Sequence, residues 1–361
     1  MKERLLGKTP EELKQIALQA GLPAFAGKQI ARWLYVSRVR TIAEMTNLSK
    51  AGREALEAIA EVGLQDPIDV QISADGTKKY LFPVRCPVGA GHDGKTGAGH
   101  DGAPVRVEES CVEAVMIPDA DRKTLCVSSQ AGCKMGCKFC MTGRQGFHGN
   151  LSAADILSQY FAIQEAGELT NTVFMGMGEP LDNWEEVKRV ITVLTADWGL
   201  AWSPKRITLS TIGVIPNLRK FLDESKCHLA VSLHNPFPEE RLEMMPVQKA
   251  WTAAEVIRLI KTYDFTGQRR VSFEYTVFEG WNNTPRHAEA LVRLLRGLEC
   301  RVNLIRFHRI PDFPYGPASA RAMEEFRDML TGGGLTATIR ASRGEDIFAA
   351  CGLLAGKHNN G

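Results

Sequence analysis

From about residue 121 onward, short apolar runs of strand character alternate with longer amphipathic stretches of helical period. The apolar runs are TLCVSSQ, NTVFMGMG, RITLSTIG, HLAVSLH, RRVSFEYTVFEG and CRVNLIRFH. Between them lie SAADILSQYFAIQEAG, TAAEVIRLIKTY and TPRHAEALVRLLRGL, whose apolar residues recur every three or four positions. Six such runs, joined by connections long enough for helices, predict six β-α units and an α/β fold around a parallel sheet. Ligands of such sheets bind beyond the carboxyl ends of the strands, so the strand-end residues are the site candidates.

Upstream the period changes. Thr9-Pro10-Glu11-Glu12 is a capping box with proline at the first helical position, followed by Leu13, Ile16, Ala17 and Ala20 at helical spacing and closed by Gly21. A second helix is predicted to carry Ile30, Trp33 and Leu34, and a third Leu56, Ile59 and Val62. Residues 1–75 therefore read as a small helical domain. Residues 76–120 hold two strand signals, KKYLFPV and SCVEAVMIP, around a Gly-rich insertion at 87–105 in which GAGHDG occurs twice. That composition predicts a β-hairpin extension with a loop at its tip, where His92 and His100 are solvated rather than metal-bound. Residues 121–361 form the core.

Charge and cysteine usage narrow the class. The net charge of +2 says little, but residues 1–60 carry ten Lys or Arg against six Glu, with Lys28, Arg32, Arg38 and Arg40 in one short segment. A basic face there suits a nucleic-acid partner, and a solvated helix face accounts for it equally. No stretch approaches the roughly 20 apolar residues of a membrane span. No secretory apolar segment follows MKERLLGK, and nine cysteines is an odd count, so a disulfide scaffold is not expected and the chain reads as a cytoplasmic enzyme without membrane association.

Three of those cysteines, Cys133, Cys137 and Cys140, stand in AGCKMGCKFCMTG with C-x3-C-x2-C spacing, just after a predicted strand. That spacing offers three thiolates to a four-iron cluster and leaves one iron open to a chelating ligand. Structural zinc normally takes two spaced pairs, and His148 alone stands nearby as a fourth ligand. The other strand ends carry Gly176-Met177-Gly178-Glu179-Pro180, Ser210-Thr211, Ser232-Leu233-His234 and His308.

The runs TLCVSSQAGCKMGCKFCMTGRQGF, GMGEPLDN, VSLHNP and RASRGEDIFAACGLLAG, in that order, resemble the dual-specificity RNA methyltransferase family RlmN, bacterial radical SAM enzymes, across most of the chain. GLPAFAGKQIARWLY is similar to that family's RNA-binding accessory domain. The resemblance implies a partial (β/α)6 radical SAM barrel with a small N-terminal helical accessory domain and a β-hairpin extension. It implies a 4Fe-4S cluster on Cys133, Cys137 and Cys140, and S-adenosylmethionine (SAM), two molecules per turnover. Gly178 and Glu179 would take the SAM amino group, the glycine allowing close approach and the carboxylate pairing with the ammonium. Ser210, Ser232, Leu233 and His234 would complete the pocket with His308, which stands where many relatives have Asn. Phe139 would pack against the adenine.

The same resemblance makes Cys351 the methyl-accepting cysteine, Cys126 its resolving partner and Glu113 a proton acceptor. Cys86, Cys111, Cys227 and Cys300 read as small buried hydrophobes. Arg343, close to Cys351 in sequence, is the cation expected to favour its thiolate. The implied reaction methylates carbon 2 of adenosine 2503 in 23S rRNA and of adenosine 37 in tRNA. Carbon 2 of adenine is electron-poor and cannot attack a sulfonium methyl, so a radical is required. Lys134, Lys138 and Arg144 would suit phosphate contacts. The partners implied are the two RNAs and an electron donor such as flavodoxin or ferredoxin, with the enzyme a monomer. The sister family Cfr uses the same two-cysteine chemistry on carbon 8, and Arg144-Gln145-Gly146-Phe147 favours the carbon 2 branch. A non-enzymatic RNA-binding metalloprotein is the reading from another class, and Cys126 and Cys351 speak against it.

Overall fold

The computed structural model describes residues 2–88, 106–265, 267 and 269–356, so the duplicated GAGHDG segment at 89–102 lies outside the described residues. The first helix, Pro10–Gln19, begins as the capping box dictates: the Glu12 amide donates to the Thr9 hydroxyl at 3.3 Å and the Thr9 amide to the Glu12 carboxylate at 2.7 Å. It buries Leu13, Ile16 and Ala17 beside the second helix, Ala26–Arg32. The third helix, Lys50–Ile59, departs from the predicted pattern. Leu56 is buried, but Ile59 is exposed and Val62 lies past the helix end. There the chain is extended, because strand β1 (Glu3–Arg4) pairs in parallel with β2 (Ala60–Glu61) and the Leu6 amide continues the ladder to the Val62 carbonyl at 3.0 Å. An Arg4–Asp155 ion pair at 2.6 Å and an Arg189–Glu12 pair at 2.7 Å fasten this module to helices of the core.

The rest is organised by one sheet. Strands β3 (Asp69–Ile72), β4 (Lys78–Val88) and β5 (Arg106–Asp119) are antiparallel, and β5 hands on to β6 (Arg122–Cys126). A separate two-stranded ribbon, β7 (Gln130–Gly132) with β8 (Phe147–Asn150), brackets the cysteine loop. Then follow β9 (Asn171–Phe174), β10 (Ile207–Thr211), β11 (His228–Ser232), β12 (Val271–Val277), β13 (Arg301–Arg306) and β14 (Thr336–Ile339). The order is β14-β13-β12-β11-β10-β9-β6-β5-β4-β3, with every pairing from β6 to β14 parallel. The sheet is thus an open half-barrel, and the hairpin continues it rather than standing apart.

Two elements correct the predicted pattern. The parallel part has seven strands, since β14, with the sequence TATI, is too short and too poor in apolar residues to announce itself. TLCVSSQ is not one strand: the sheet strand stops at Cys126 and the chain re-enters the β7–β8 ribbon at Gln130. That break puts Cys126 at a strand end. Helices cover the outer face, where Trp184 packs edge-on against Phe221 with ring centres 5.7 Å apart. Each such side chain, fully buried, contributes roughly 1.5–3 kcal/mol. Among the described residues no helix is long and apolar enough to cross a membrane.

Candidate active site

The cysteine loop hangs over the carboxyl ends of the parallel strands. Its entry is fixed by Gly132 (φ +70°), where a Cβ would lie 2.0 Å from the Gly146 carbonyl, and by a 2.7 Å bond from the Cys133 amide to that same carbonyl. The Lys138 amide, between the second and third cysteines, donates to the Met244 carbonyl at 3.0 Å. Cys133, Cys137 and Cys140 all line one chamber and are free thiols. Burial and the neighbouring thiols push Cys133 up to about 12 and Cys137 well above the thiol range, so these two ionise only against bound cations. Among the described residues no three His, Cys, Asp or Glu side chains gather closely enough to hold a single metal ion. Three thiols converging on one chamber suit an iron–sulfur cluster, which takes one thiolate per iron and keeps an open position. His148, on β8, is not among the side chains lining the chamber.

The strand ends supply the floor. Gly178 adopts φ +97°, and a Cβ there would come within 2.5 Å of the Gln130 side chain. Glu179 beside it is 3% exposed; its carboxylate accepts from the Leu181 amide at 3.0 Å and the Ile212 amide at 2.9 Å. Burial nevertheless raises its pKa to about 7, the position of a carboxylate awaiting a cationic partner. Ser210, Ser232 and His234 also face the chamber. His234, in the left-handed region at φ 58°, accepts from the Thr276 amide at 2.9 Å, and burial lowers its pKa to about 3, so the ring is neutral. Phe139 lines the chamber and packs edge-on against His234, ring centres 4.8 Å apart.

Leu233 and His308 are placed differently from the other predicted contacts. The Leu233 side chain is 1% exposed and turned into the core, while its carbonyl accepts from Arg241 at 3.0 Å. His308 sits outside the chamber lining, with Nε2 3.0 Å from the Ser342 hydroxyl and Nδ1 3.8 Å from Glu345. Of the loop cations, Lys134 pairs with Asp182 at 3.0 Å and lies over the Phe147 ring, and Arg144 donates to the Pro311 carbonyl.

Cys351 lines the chamber beside the cysteine loop, and Cys126, outside the lining, lies within electrostatic reach of it. Burial pushes Cys126 up to about 12, with Cys351 adding to the shift. The Cys351 thiol is accessible, but it opens onto the chamber, and burial raises its pKa as well. Its segment is one 3-10 turn, Glu345–Ile347, followed by turns, and it is stitched down at several points. The Met141 amide donates to the Gly352 carbonyl at 2.8 Å and the Thr142 hydroxyl to the Leu354 carbonyl at 2.7 Å. Asp346 accepts from the Ser73 hydroxyl at 2.5 Å and from the Ala74 amide at 3.1 Å. Glu113, on β5, is the third clasp. One oxygen pairs with buried Lys79 at 3.0 Å and the other takes the amides of Ala355 and Gly356 at 2.6 and 2.9 Å. Its carboxylate does not line the chamber.

Three charged residues that the sequence did not single out shape this site. Arg241 is 1% exposed, donates to the carbonyls of Leu233 and Ser232 and to Gln248, and stands behind Cys137. Arg340 and Glu274 pair at 3.6 Å within electrostatic reach of the two thiols. Arg343, expected to be the cation near Cys351, instead faces Asp119 at 3.5 Å. Cys86 and Cys227 are fully buried, as small hydrophobes should be, while Cys111 and Cys300 are partly exposed.

An open parallel half-barrel with three cysteines on a loop above its strand ends and a buried Gly-Glu turn in its floor defines a radical SAM enzyme, and residues 127–295 match the Radical SAM superfamily. Residues 4–62 match the ribosomal RNA large subunit methyltransferase N-terminal domain. The structure is similar to that of a radical SAM methyltransferase from Sphaerobacter thermophilus, with TM-score 0.86 and 35% identity over 98% of this chain and 100% of that one. The sequence is 56% identical to the probable dual-specificity RNA methyltransferase RlmN of Porphyromonas gingivalis, over 97% of this chain and 96% of the relative. It is 55% identical to the protein of that name in Parabacteroides distasonis, over 99% and 98%. The chain belongs to the RlmN family of radical SAM RNA methyltransferases.

Proposed function

We propose that the protein methylates carbon 2 of adenosine 2503 in 23S rRNA and of adenosine 37 in tRNA, through a methylated Cys351 and a Cys126–Cys351 disulfide. The observation that supports this reading best is the position of Cys351, which shares one chamber with Cys133, Cys137 and Cys140 while lying within electrostatic reach of Cys126. The three loop thiols are the ligands of the 4Fe-4S cluster, which when bound supplies the electron that cleaves SAM to a carbon radical.

The chain's own residues do the rest. Gly178 and Glu179 take the SAM ammonium, and Ser210, Ser232, His234 and the Leu233 backbone close around the cosubstrate. A contact between His308 and SAM requires exchange of its Ser342 bond. Cys351 accepts a methyl group from a first SAM by displacement and then gives up a hydrogen atom from it, which consumes a second SAM. The carbon so activated adds to the adenine. The adduct gives up one electron, which the oxidised cluster would take back, and then the ring proton; the Cys126 thiolate attacks the Cys351 sulfur, the disulfide forms as the sulfur–carbon bond breaks, and the released carbon takes up a proton to become the methyl group. Glu113 is available to take the ring proton only once the Ala355 and Gly356 amides leave its carboxylate. Electrons come from a flavodoxin or ferredoxin, and the enzyme works as a monomer in the cytoplasm. Non-duplex adenosines suit the chemistry because the base can be splayed out to reach a recessed thiol.

The test is anaerobic incubation of cluster-loaded protein with reductant, deuterated-methyl SAM and unmodified tRNA or an rRNA fragment, read by mass spectrometry of nucleosides and of the Cys351 peptide. Labelled 2-methyladenosine with methylated Cys351 is the expected result. 8-Methyladenosine moves the chain to the sister chemistry, and 5′-deoxyadenosine without RNA methylation refutes the substrate.

A further inference from the structure

We propose that Arg340 is the positioning residue for the thiol chemistry, a fixed cation against the chamber-wall residues Met175 and Glu274, within electrostatic reach of Cys126 and Cys351 and balanced by Glu274. This rests on the reading above in which Cys351 accepts a methyl group. Arg340 follows directly on β14, and its amide donates to the Leu304 carbonyl on β13 at 2.9 Å, so its origin is set by the sheet. Its guanidinium lies 3.6 Å from the Glu274 carboxylate and 3.6 Å from the Met175 sulfur. The Met175 backbone in turn hydrogen-bonds Cys126.

Glu274 is held for this task. One of its oxygens accepts from Ser272 at 2.9 Å and from Asn303 at 2.7 Å, and Thr338 braces Asn303 at 2.9 Å. The other oxygen is buried, has no hydrogen-bond partner and faces Arg340. Glu274 is 3% exposed, and a buried carboxylate with one oxygen left open needs a nearby cation. Glu274 and Met175 belong to the chamber wall, and behind them a second cavity runs to the opposite mouth of the barrel, lined by Arg340, Arg122, Arg269, Arg270 and Arg301. The pair is therefore the partition between the reaction chamber and a cationic second cavity; burial works against the Arg340 charge, and Glu274 with the two thiols more than offsets it, so the guanidinium stays charged.

The charged and titratable groups acting on the thiols are few. Cys126 faces Cys351, Arg340 and the buried Tyr160; Cys351 faces Arg340, Glu274, Cys140 and Cys126. Arg340 is the one cation acting on both thiols, among the described residues. In the loading step the Cys351 thiol loses its proton to solvent, a sulfur–methyl bond forms, the sulfonium–methyl bond breaks and S-adenosylhomocysteine leaves. Negative charge collects on the Cys351 sulfur as the proton departs, and Arg340 opposes the cost of placing it there.

Loading is measured apart from RNA methylation by mixing cluster-loaded enzyme with labelled SAM, without RNA, and following the mass of the Cys351 peptide. Arg340→Met is expected to slow loading about tenfold and Arg340→Lys to restore most of it. Glu274→Gln, which keeps the Ser272 and Asn303 bonds and removes the opposing charge, is expected to load faster than the parent. Arg340→Met loading at the parental rate overturns the proposal, and so does slowing by Glu274→Gln, which would mean that the pair serves packing alone. If Arg340→Met fails to retain its cluster, the Arg340→Lys and Glu274→Gln arms still decide. A parent enzyme that never loads Cys351 refutes the methyl-acceptor reading itself, whichever way the variants behave.

Discussion

The chamber presents thiols on two kinds of support. Cys133, Cys137 and Cys140 stand on a loop anchored at both ends by the β7–β8 ribbon and backed by buried Arg241 and Met245. Cys351 stands on a tail that buries few large side chains and is held by polar clasps to Ser73, Ala74, Met141, Thr142 and Glu113. The first support suits ligands that must not move relative to one another. The second suits the methyl-carrying role proposed for Cys351, since hydrogen bonds to carbonyls and carboxylates can be exchanged for water while a packed core cannot.

The comparison can be broken at its rigid side first. Cys137→Ser is expected to abolish both cluster retention and SAM cleavage, seen as loss of bound iron and of 5′-deoxyadenosine, while the tail clasps stay intact. On the movable side, Glu113→Gln leaves Lys79 buried without its counter-charge and weakens two amide bonds, a loss on the order of 3 kcal/mol. Its signature is faster alkylation of Cys351 by a small maleimide with little change in iron content, and an unchanged rate would show that the clasp does not hold the tail.

The chamber floor has its own pH dependence. The Glu179 carboxyl, about 4.5 in an unfolded chain, is raised to about 7 by burial, so between those values the folded state binds the proton more tightly. Stability of the SAM-free protein then falls as pH rises through that window, by on the order of 3 kcal/mol in all. Glu179→Gln is expected to flatten this slope in denaturant melts, standing above the parent at pH 8 and level with it at pH 4. Parallel curves for the two proteins would contradict the assignment. The smallest effect is expected from Asp346→Asn, an exposed clasp, with roughly a twofold rise in Cys351 alkylation.

What the sequence disclosed follows from what it writes locally. The cysteine spacing, the Gly178-Glu179 turn and the strand–helix alternation are short-range patterns, and the structure keeps them together. β14 escaped notice because its four residues gain their strand character from pairing with β13 and not from their own composition. Arg241 lies in PEERLEM, which reads as a charged helix surface; only the carbonyls brought in from β11 show that it points inward. Arg340 and Glu274 are 66 residues apart and become a pair through the adjacency of β12, β13 and β14. Glu113 was marked for proton transfer, yet its contact with the tail crosses more than 240 residues of chain and has no local trace.

The open sheet carries one more consequence. Because β14 and β3 remain unpaired at the two edges among the described residues, the half-barrel has a seam, and the stretch from Arg340 to Gly356 crosses it, from the end of β14 to the Ser73 turn and on to β5. The doorway and the delivery arm are the same piece of chain. In the proposed cycle, the thiol would be loaded while the tail is clasped, and a nucleotide would reach it as the clasps to Ser73 and Glu113 exchange for water.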